Sequence, residues 1–189
     1  MLTKVLLAYL RFLARRGVGE EPIQFWDELR QAKTAIVTLR CSPEELKALR
    51  RVVSRLSQLF APENLCFVVR QGESLPPGFI QGRLIEVGPE MLRFGRFPTA
   101  HLRQQIRAQH ADAFIDLHPD FDLLSAALAV ASGARIRVCF AHQLRDPFYN
   151  LEVRTGANVS PARRYDRLLA VLEAARAKKD PEAVPSAKT

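Results

Sequence analysis

The sequence contains little cysteine, and its cysteines are not spaced for structural cross-links. Cys41, Cys66 and Cys139 form no CxxC pair and are odd in number. A disulfide framework or a zinc knuckle is therefore not expected. Two of the three lie inside apolar, strand-like runs. We predict a reducing, cytoplasmic environment for this chain.

No uninterrupted apolar run is long enough to cross a bilayer. Residues 1–17 come closest, but Arg11 interrupts their apolar run and no small-residue cleavage site follows. On a helical wheel, Lys4, Arg11 and Arg15 share one side. The other side is apolar and consists of Leu2, Val5, Leu6, Tyr9, Leu10, Phe12 and Leu13. This pattern predicts an amphipathic helix that either docks on its own domain or, through residues 1–16, contacts the inner face of a membrane.

The motifs of common nucleotide, hydrolytic and metal sites are also missing. There is no GxGxxG, no GxxxxGK[ST] and no GxSxG elbow. The four histidines show neither HExxH nor another compact metal spacing, and they are His101, His110, His118 and His142. Glu44 and Glu45 place negative charge where a phosphate would dock at a helix start. We therefore predict no metal and no cofactor.

The composition is that of a soluble globular domain with a basic surface. Apolar residues make up 48% and charged residues 25% of the chain, and the net charge is +8. This charge favours an anionic partner, such as an anionic small molecule or sugar ligand, without identifying it. The arginines occupy predicted solvent faces of helices and lack interleaved aromatic residues, so nucleic-acid binding is not favoured. Binding to a protein partner is an alternative that the composition leaves open.

Buried strand-like runs alternate with amphipathic helices along most of the chain. The predicted strands span 34–39, 64–70, 83–87, 113–117, 135–140 and 149–154, and the predicted helices span 44–60, 99–110, 120–132 and 160–178. The stretch from Ser42 to Glu45 predicts a helix start with Ser42 as N-cap, Pro43 at the first position and Glu45 completing a capping box. Gly133 is the predicted C-cap of helix 120–132.

This alternation predicts an α/β fold: a single Rossmann-like, doubly wound and mostly parallel sheet of five or six strands, with an extra N-terminal amphipathic helix. We predict a helix and connector at 1–30, the α/β domain at 31–178 and a disordered tail at 179–189. Residues 88–98 are not assigned to an element.

Ligands of doubly wound sheets bind beyond the carboxyl ends of the strands, where strand order reverses. A strand order of 3-2-1-4-5 puts this point between strands 34–39 and 113–117. We therefore predict ligand contacts from Arg40, Cys41, Asp116, His118 and Asp120, with Asp116 and His118 as candidate catalytic bases. The alternatives are structural: Asp120 as a helix N-cap, Asp116 as a buried scaffold carboxylate, and His118 as a surface residue.

Residues 112–140 resemble the family 9 glycosyltransferases, the lipopolysaccharide heptosyltransferases. The matching residues are Asp112, Ile115, Asp116, Leu117, His118, Ser125, Gly133, Ala134, Arg135, Arg137, Val138 and Phe140, and Cys139 replaces a glycine of the family. Similarity extends loosely over 34–140, the amino-terminal, acceptor-side half, and implies a Rossmann-like fold and sugar transfer. The family has a Gly-Asp pair after its first strand, whose aspartate is the presumed base, whereas this chain has RCSPEE at 40–45.

A looser resemblance, over nearly the full length, is to small bacterial Rossmann-like proteins of uncharacterised function that have a basic N-terminal helix and a final helix like RYDRLLAVLEAA. Together, these features predict a stand-alone, family 9-like Rossmann domain that is a binding or accessory module without complete transferase activity. One alternative is a glycosyltransferase subunit that acts on cell-envelope sugars with a partner's donor domain. Another is a scaffold protein associated with the membrane surface.

Overall fold

A computed structural model describes residues 2–16, 24–42, 44–73, 75–156 and 159–177. The predicted tail at 179–189, most of the turn after the first helix, and Pro43 lie outside the described residues. The helices are α1 Leu2–Arg16, α2 Phe25–Gln31, α3 Leu46–Leu59, α4 Ala100–Arg107, α5 Leu123–Ser132 and α6 Pro161–Ala177. The strands are β1 Ala35–Thr38, β2 Leu65–Arg70, β3 Arg83–Val87, β4 Leu92–Arg93, β5 Phe97–Pro98, β6 Ala113–Asp116, β7 Ile136–Phe140 and β8 Leu151–Val153.

Six strands form one parallel sheet in the order β3-β2-β1-β6-β7-β8. In the centre of the sheet, Val37 of β1 pairs with Phe67 of β2 on one side and with Ile115 of β6 on the other. The predicted α/β fold, its strand order and its sixth strand are therefore confirmed. The order reverses between β1 and β6, so the carboxyl ends of these two strands form the switch point.

Both faces of the sheet are covered by helices, which explains why β1 and β6 are buried along their whole length. Alternate residues of each strand point to opposite faces. Val37, Phe67 and Ile115 pack with α2, α3 and α6, whereas Ile36 and Phe114 pack with α1, α4, α5 and the β4–β5 hairpin. Each such buried apolar side chain stabilises the fold by roughly 1.5–3 kcal/mol.

The predicted cap of α3 is wrong. The helix begins at Leu46, and Glu45 is its N-cap residue without a side-chain cap hydrogen bond. The backbone N–H of Glu45 instead donates to the Ser42 carbonyl in a preceding turn, at 3.0 Å. The Glu45 carboxylate accepts a hydrogen bond from Tyr165 of α6, at 3.3 Å. A contact between distant elements therefore takes the place of the local capping box.

The predicted start of α5 at Asp120 is also wrong, because the helix begins three residues later, at Leu123. Asp122 is the N-cap, and its carboxylate accepts hydrogen bonds from the backbone N–H groups of Leu124 at 2.6 Å and Ser125 at 3.4 Å. The helix ends as predicted, because Gly133 adopts the left-handed conformation with φ of 70°. Asp120 remains in the loop between β6 and α5.

The amphipathic helix α1 docks on the domain through only part of its apolar side. Leu10 and Ala14 are buried in the core beside α5, whereas Val5, Tyr9 and Phe12 are 59%, 49% and 50% exposed. The previously unassigned stretch 88–98 forms a 3₁₀ turn followed by the β4–β5 hairpin. Among the helices of the described ranges, none combines the length and hydrophobicity needed to span a bilayer.

Candidate functional site

An open cleft of about 610 Å³ lies at the predicted switch point. It is bordered by the loops that follow β1 and β6, by the end of β2 and by the tip of the β4–β5 hairpin. Its lining residues are Arg40, Ser42, Glu45, Arg70, Gly95, Arg96, His118, Pro119, Asp120, Phe121, Asp122, Leu123 and Leu124. The cleft thus presents three arginines and three carboxylates around an apolar floor.

Asp116, the last residue of β6, lies beneath this cleft and is 1% exposed. Its Oδ1 atom accepts hydrogen bonds from the Thr38 hydroxyl at 3.1 Å and from the His118 backbone N–H at 3.0 Å, and it lies 2.6 Å from His118 Nδ1. Its Oδ2 atom accepts from the Tyr149 hydroxyl at 2.6 Å. Both oxygens of this carboxylate are therefore committed to neighbouring protein groups.

The surroundings of Asp116 strongly favour its charged form. Burial alone would raise the pKa of this carboxyl, but the charge and hydrogen bond of His118, the charge of Arg145 and the hydrogen bond from Tyr149 outweigh it and lower the pKa to about 2. A carboxylate of such low basicity is a poor proton acceptor near neutral pH. Asp116 has the properties of a fixed counter-ion.

His118 forms the other half of this ion pair. Its side chain is 13% exposed, its Nδ1 faces Asp116, and its Nε2 lies 3.9 Å from Asp122 Oδ2. Burial would lower the pKa of the imidazole, but Asp116, its hydrogen bond and Asp122 together raise it. The ring is therefore held in one orientation at the edge of the cleft, with its cationic form favoured.

Arg145 comes from the loop between β7 and β8 and is completely buried. Its Nη2 donates to the backbone carbonyls of His118 at 2.7 Å and Asp120 at 2.8 Å, and its Nη1 lies 3.8 Å from Asp116 Oδ2. The guanidinium also lies over the Tyr149 ring, 5.7 Å from its centroid. Arg145 therefore fixes the backbone of the loop that carries His118 and Asp120.

A hydroxyl cluster continues this network below Asp116. Thr38 and Ser125 are buried and their hydroxyl oxygens lie 2.6 Å apart, while the Tyr149 hydroxyl lies 3.4 Å from Ser125 Oγ. Burial, together with the neighbouring Asp116 carboxylate, raises the pKa of the Tyr149 hydroxyl well above its ordinary value. Tyr149 therefore stays a neutral donor, and the cluster couples β1, β6, α5 and the β7–β8 loop.

The remaining predicted site residues lie around this network in different surroundings. Arg40 is exposed and lines the cleft. Cys41 is 9% exposed, its backbone N–H donates to Glu73, and burial together with Glu73 and Glu45 raises the pKa of its thiol. Asp120 is exposed at the cleft and is not the helix cap. Arg40, His118 and Asp120 thus border one cleft, whereas Cys41 has the environment of a packed thiol.

Sequence reasoning missed Arg70, Arg145 and Tyr149. Arg70 ends β2 and forms an ion pair with Asp122 at 3.1 Å, which ties the neighbouring strand to the start of α5. A signal for Arg70 existed, because the carboxyl end of β2 lies beside that of β1 in the predicted strand order. No such signal existed for Arg145, since its position depends on the path of an irregular loop. In the described part of the chain, no cluster of three or more His, Cys, Asp or Glu could hold a metal ion.

Three solved structures that are similar to this chain are of glycosyltransferases. The chain is similar to a family 9 glycosyl transferase from Veillonella parvula, with a TM-score of 0.56 and 21% identity, over 78% of this chain and 42% of that one. It is also similar to the E. coli heptosyltransferase WaaC with ADP, with a TM-score of 0.56 and 18% identity, over 79% and 48% of the two chains. For the same enzyme with ADP-2-deoxy-2-fluoro heptose, the TM-score is 0.50 and the identity is 16%, over 73% of this chain and 47% of that one.

These comparisons establish a common fold between this chain and part of a family 9 glycosyltransferase. The chain spans less than half of the length of these solved structures. No protein-family model matches the sequence, and no match to it was found among curated proteins.

Proposed function

We propose that this chain is a binding or accessory module that holds an anionic sugar, such as a sugar phosphate, in the switch-point cleft without carrying complete transferase chemistry. The observation that carries the proposal is the state of Asp116. Its two oxygens are occupied by Thr38, His118 and Tyr149, and its pKa is lowered to about 2. A carboxylate held in this way orients its neighbours and does not remove a proton from a sugar hydroxyl.

The mixed charge of the cleft supports a ligand that is both anionic and hydroxylated. Arg40, Arg70 and Arg96 supply guanidinium groups, which bind phosphate oxygens in a bidentate manner. Glu45 and Asp120 supply carboxylate oxygens, which accept hydrogen bonds from hydroxyl groups. An inorganic anion would use only the first set, and a neutral sugar would leave the guanidinium charges without an anionic partner. A sugar phosphate uses both.

The local sequence supports the absence of complete transferase chemistry. The loop after β1 reads RCSPEE at 40–45 and has no aspartate. The three cysteines are buried and form no disulfide, which is in keeping with the reducing cytoplasm that we propose as the location of this chain.

Calorimetric titration of the full chain with glucose 1-phosphate tests the proposal. We expect saturable binding, no binding of glucose, and at least about tenfold weaker binding by Arg40→Gln, which removes one charge-assisted contact. Arg50→Gln is the matched control, because Arg50 is an exposed arginine of α3 that does not line the cleft. Equal binding of glucose 1-phosphate by both variants, or no binding by the wild type, would contradict the proposal.

A second candidate is a glycosyltransferase subunit that depends on a partner's donor domain. The bond between Asp116 and His118 Nδ1 favours it, because this bond orients the imidazole beside a cleft in the way that a catalytic base requires. The raised pKa of His118 weighs against it, since a protonated imidazole accepts no proton. Turnover of a nucleotide sugar in a mixture with a donor domain, abolished by His118→Gln, would favour this candidate over the binding module.

A further inference from the structure

Two segments that meet in the fold are basic and contain no acidic residue. Residues 2–16 and 91–111 together contain eight Lys and Arg residues and no Asp or Glu. The whole chain has 28 basic and 20 acidic residues, so the remainder carries 20 of each and is neutral. The first segment is α1, and the second comprises the β4–β5 hairpin and α4. Helix α3 also has four basic residues and no acidic one, but its Arg51 and Arg55 pair with Asp166 and Glu173 of α6.

These two segments lie side by side in the fold. The Tyr9 ring of α1 contacts the Phe97 ring of β5, with centroids 6.1 Å apart. Leu10 and Ala14 share a core with Phe97 and Leu102 of α4, and both α1 and β5 pack against α5. Two acid-free segments that are far apart in sequence therefore contribute to one basic surface.

Exposed apolar side chains lie on the same surface. Val5, Tyr9 and Phe12 follow one another at helical spacing along α1 and are each about half exposed. Phe94, at the tip of the hairpin, is 67% exposed and stands between Arg93 and Arg96. Its φ of 54° is in the left-handed region, which a bulky residue seldom adopts. The fold thus holds an aromatic side chain out in solvent at a cost in backbone energy.

We propose that α1 and the β4–β5 hairpin form a membrane-binding surface that rests on anionic lipid headgroups. Val5, Tyr9, Phe12 and Phe94 enter the boundary between headgroups and acyl chains, and the basic residues of both segments pair with lipid phosphates. Charge complementarity selects this occupant, because two adjoining segments that contain basic residues and no acidic residue match a uniformly anionic surface. Since Gly95 and Arg96 line the cleft, this orientation brings the cleft close to the headgroups. The surface does not depend on which ligand the cleft holds.

Co-sedimentation of the full chain with vesicles tests this surface. We expect the wild type to bind vesicles of equal parts phosphatidylglycerol and phosphatidylcholine, to stay in solution with phosphatidylcholine alone, and to be released by salt. Arg15→Glu reverses one charge on α1, and we expect at least about fivefold weaker binding. Phe94→Asn removes the exposed ring and suits the left-handed backbone, so the variant should fold and bind more weakly.

Two matched controls show whether vesicle binding depends on this particular surface or only on the overall charge and hydrophobicity of the chain. Arg50→Glu reverses an exposed helical arginine outside both segments, and Leu84→Thr removes a partly exposed apolar side chain from β3. Both controls should bind anionic vesicles as the wild type does. The proposal is overturned if the wild type binds neither vesicle, if it binds both vesicles equally, or if Arg50→Glu weakens binding as much as Arg15→Glu. If the wild type does not bind vesicles but forms dimers, and Phe94→Asn is monomeric, the surface would be a protein contact and the proposal would be wrong.

Discussion

Asp116→Asn tests the role of the buried carboxylate most sharply, because it keeps the shape of the side chain and removes its charge. The substitution removes the counter-ion of the buried Arg145 guanidinium and of the His118 ring, whose cationic form Asp116 favours. It also places an amide N–H₂ group where an oxygen now accepts hydrogen bonds. Loss of one partner from a buried ion pair destabilises proteins by roughly 3–5 kcal/mol.

The pKa of Asp116 gives a second value for the same effect. A fall from the ordinary 3.8 to about 2 corresponds to about 2 kcal/mol of folding free energy. Loss of the ion-pair partner gives roughly 3–5 kcal/mol and the pKa gives about 2 kcal/mol. We therefore expect Asp116→Asn to lower the free energy of unfolding by about 3 kcal/mol. For a chain of this size, the melting temperature should fall by roughly 6–12 °C.

The pH dependence of this contribution has a definite sign. The pKa of Asp116 is lower in the folded chain, so its contribution is complete above the ordinary pKa and is lost as pH falls through about 2. Urea unfolding followed by circular dichroism, at neutral pH and in acid, measures both effects. The difference between wild type and Asp116→Asn should be largest at neutral pH and should shrink in acid.

Asp120→Asn is the matched control, because Asp120 is an exposed carboxylate in the loop after the same strand. Its unfolding free energy should stay within about 0.5 kcal/mol of the wild type. The reasoning is refuted if Asp116→Asn is as stable as Asp120→Asn, since Asp116 would then carry no buried charge network.

Three further predictions concern the same network and the docked helix. Arg145→Met should lower the free energy of unfolding in urea by about 3 kcal/mol, because the carbonyls of His118 and Asp120 lose their donor and Asp116 loses a nearby positive charge. An unchanged value would contradict this role. In an NMR titration, the pKa of His118 should lie above its ordinary value in the wild type and fall in Asp116→Asn, so equal titration curves would count against the ion pair. Leu10→Ala should lower the free energy of unfolding in urea by roughly 3 kcal/mol, whereas Val5→Ala should change it by less than about 0.5 kcal/mol. Similar effects of the two substitutions would contradict the docking of α1 through Leu10.

The fold could be predicted from the sequence because each strand shows its burial in its own residues and because connections between parallel strands have one preferred hand. The apolar run at 35–38 and the one at 113–116 have no polar alternation, which indicates a parallel sheet covered on both faces. Right-handed crossovers then leave few strand orders, and the observed order is the expected one. The position of the cleft follows from that order, so it was also predictable.

The details of the site could not be predicted, because distant elements determine them. Asp120 and Asp122 are equally suited to cap a helix, and the sequence does not distinguish them. In the fold, Arg145 binds the carbonyls of His118 and Asp120, which belong to the loop, and the helix begins only after Asp122. Tyr149 was expected to begin a strand, but its hydroxyl instead reaches Asp116 from the β7–β8 loop.

The most direct test of the central claim is an NMR titration of the isotope-labelled full chain with glucose 1-phosphate. We expect saturable shifts of backbone amides at 40–42, 95–96 and 118–122, together with shifts of the ring signals of His118. We also expect no production of a transferred sugar when a nucleotide sugar is added. Shifts confined to other parts of the chain, or none at saturating ligand, would contradict the claim that the cleft between β1 and β6 is the ligand site.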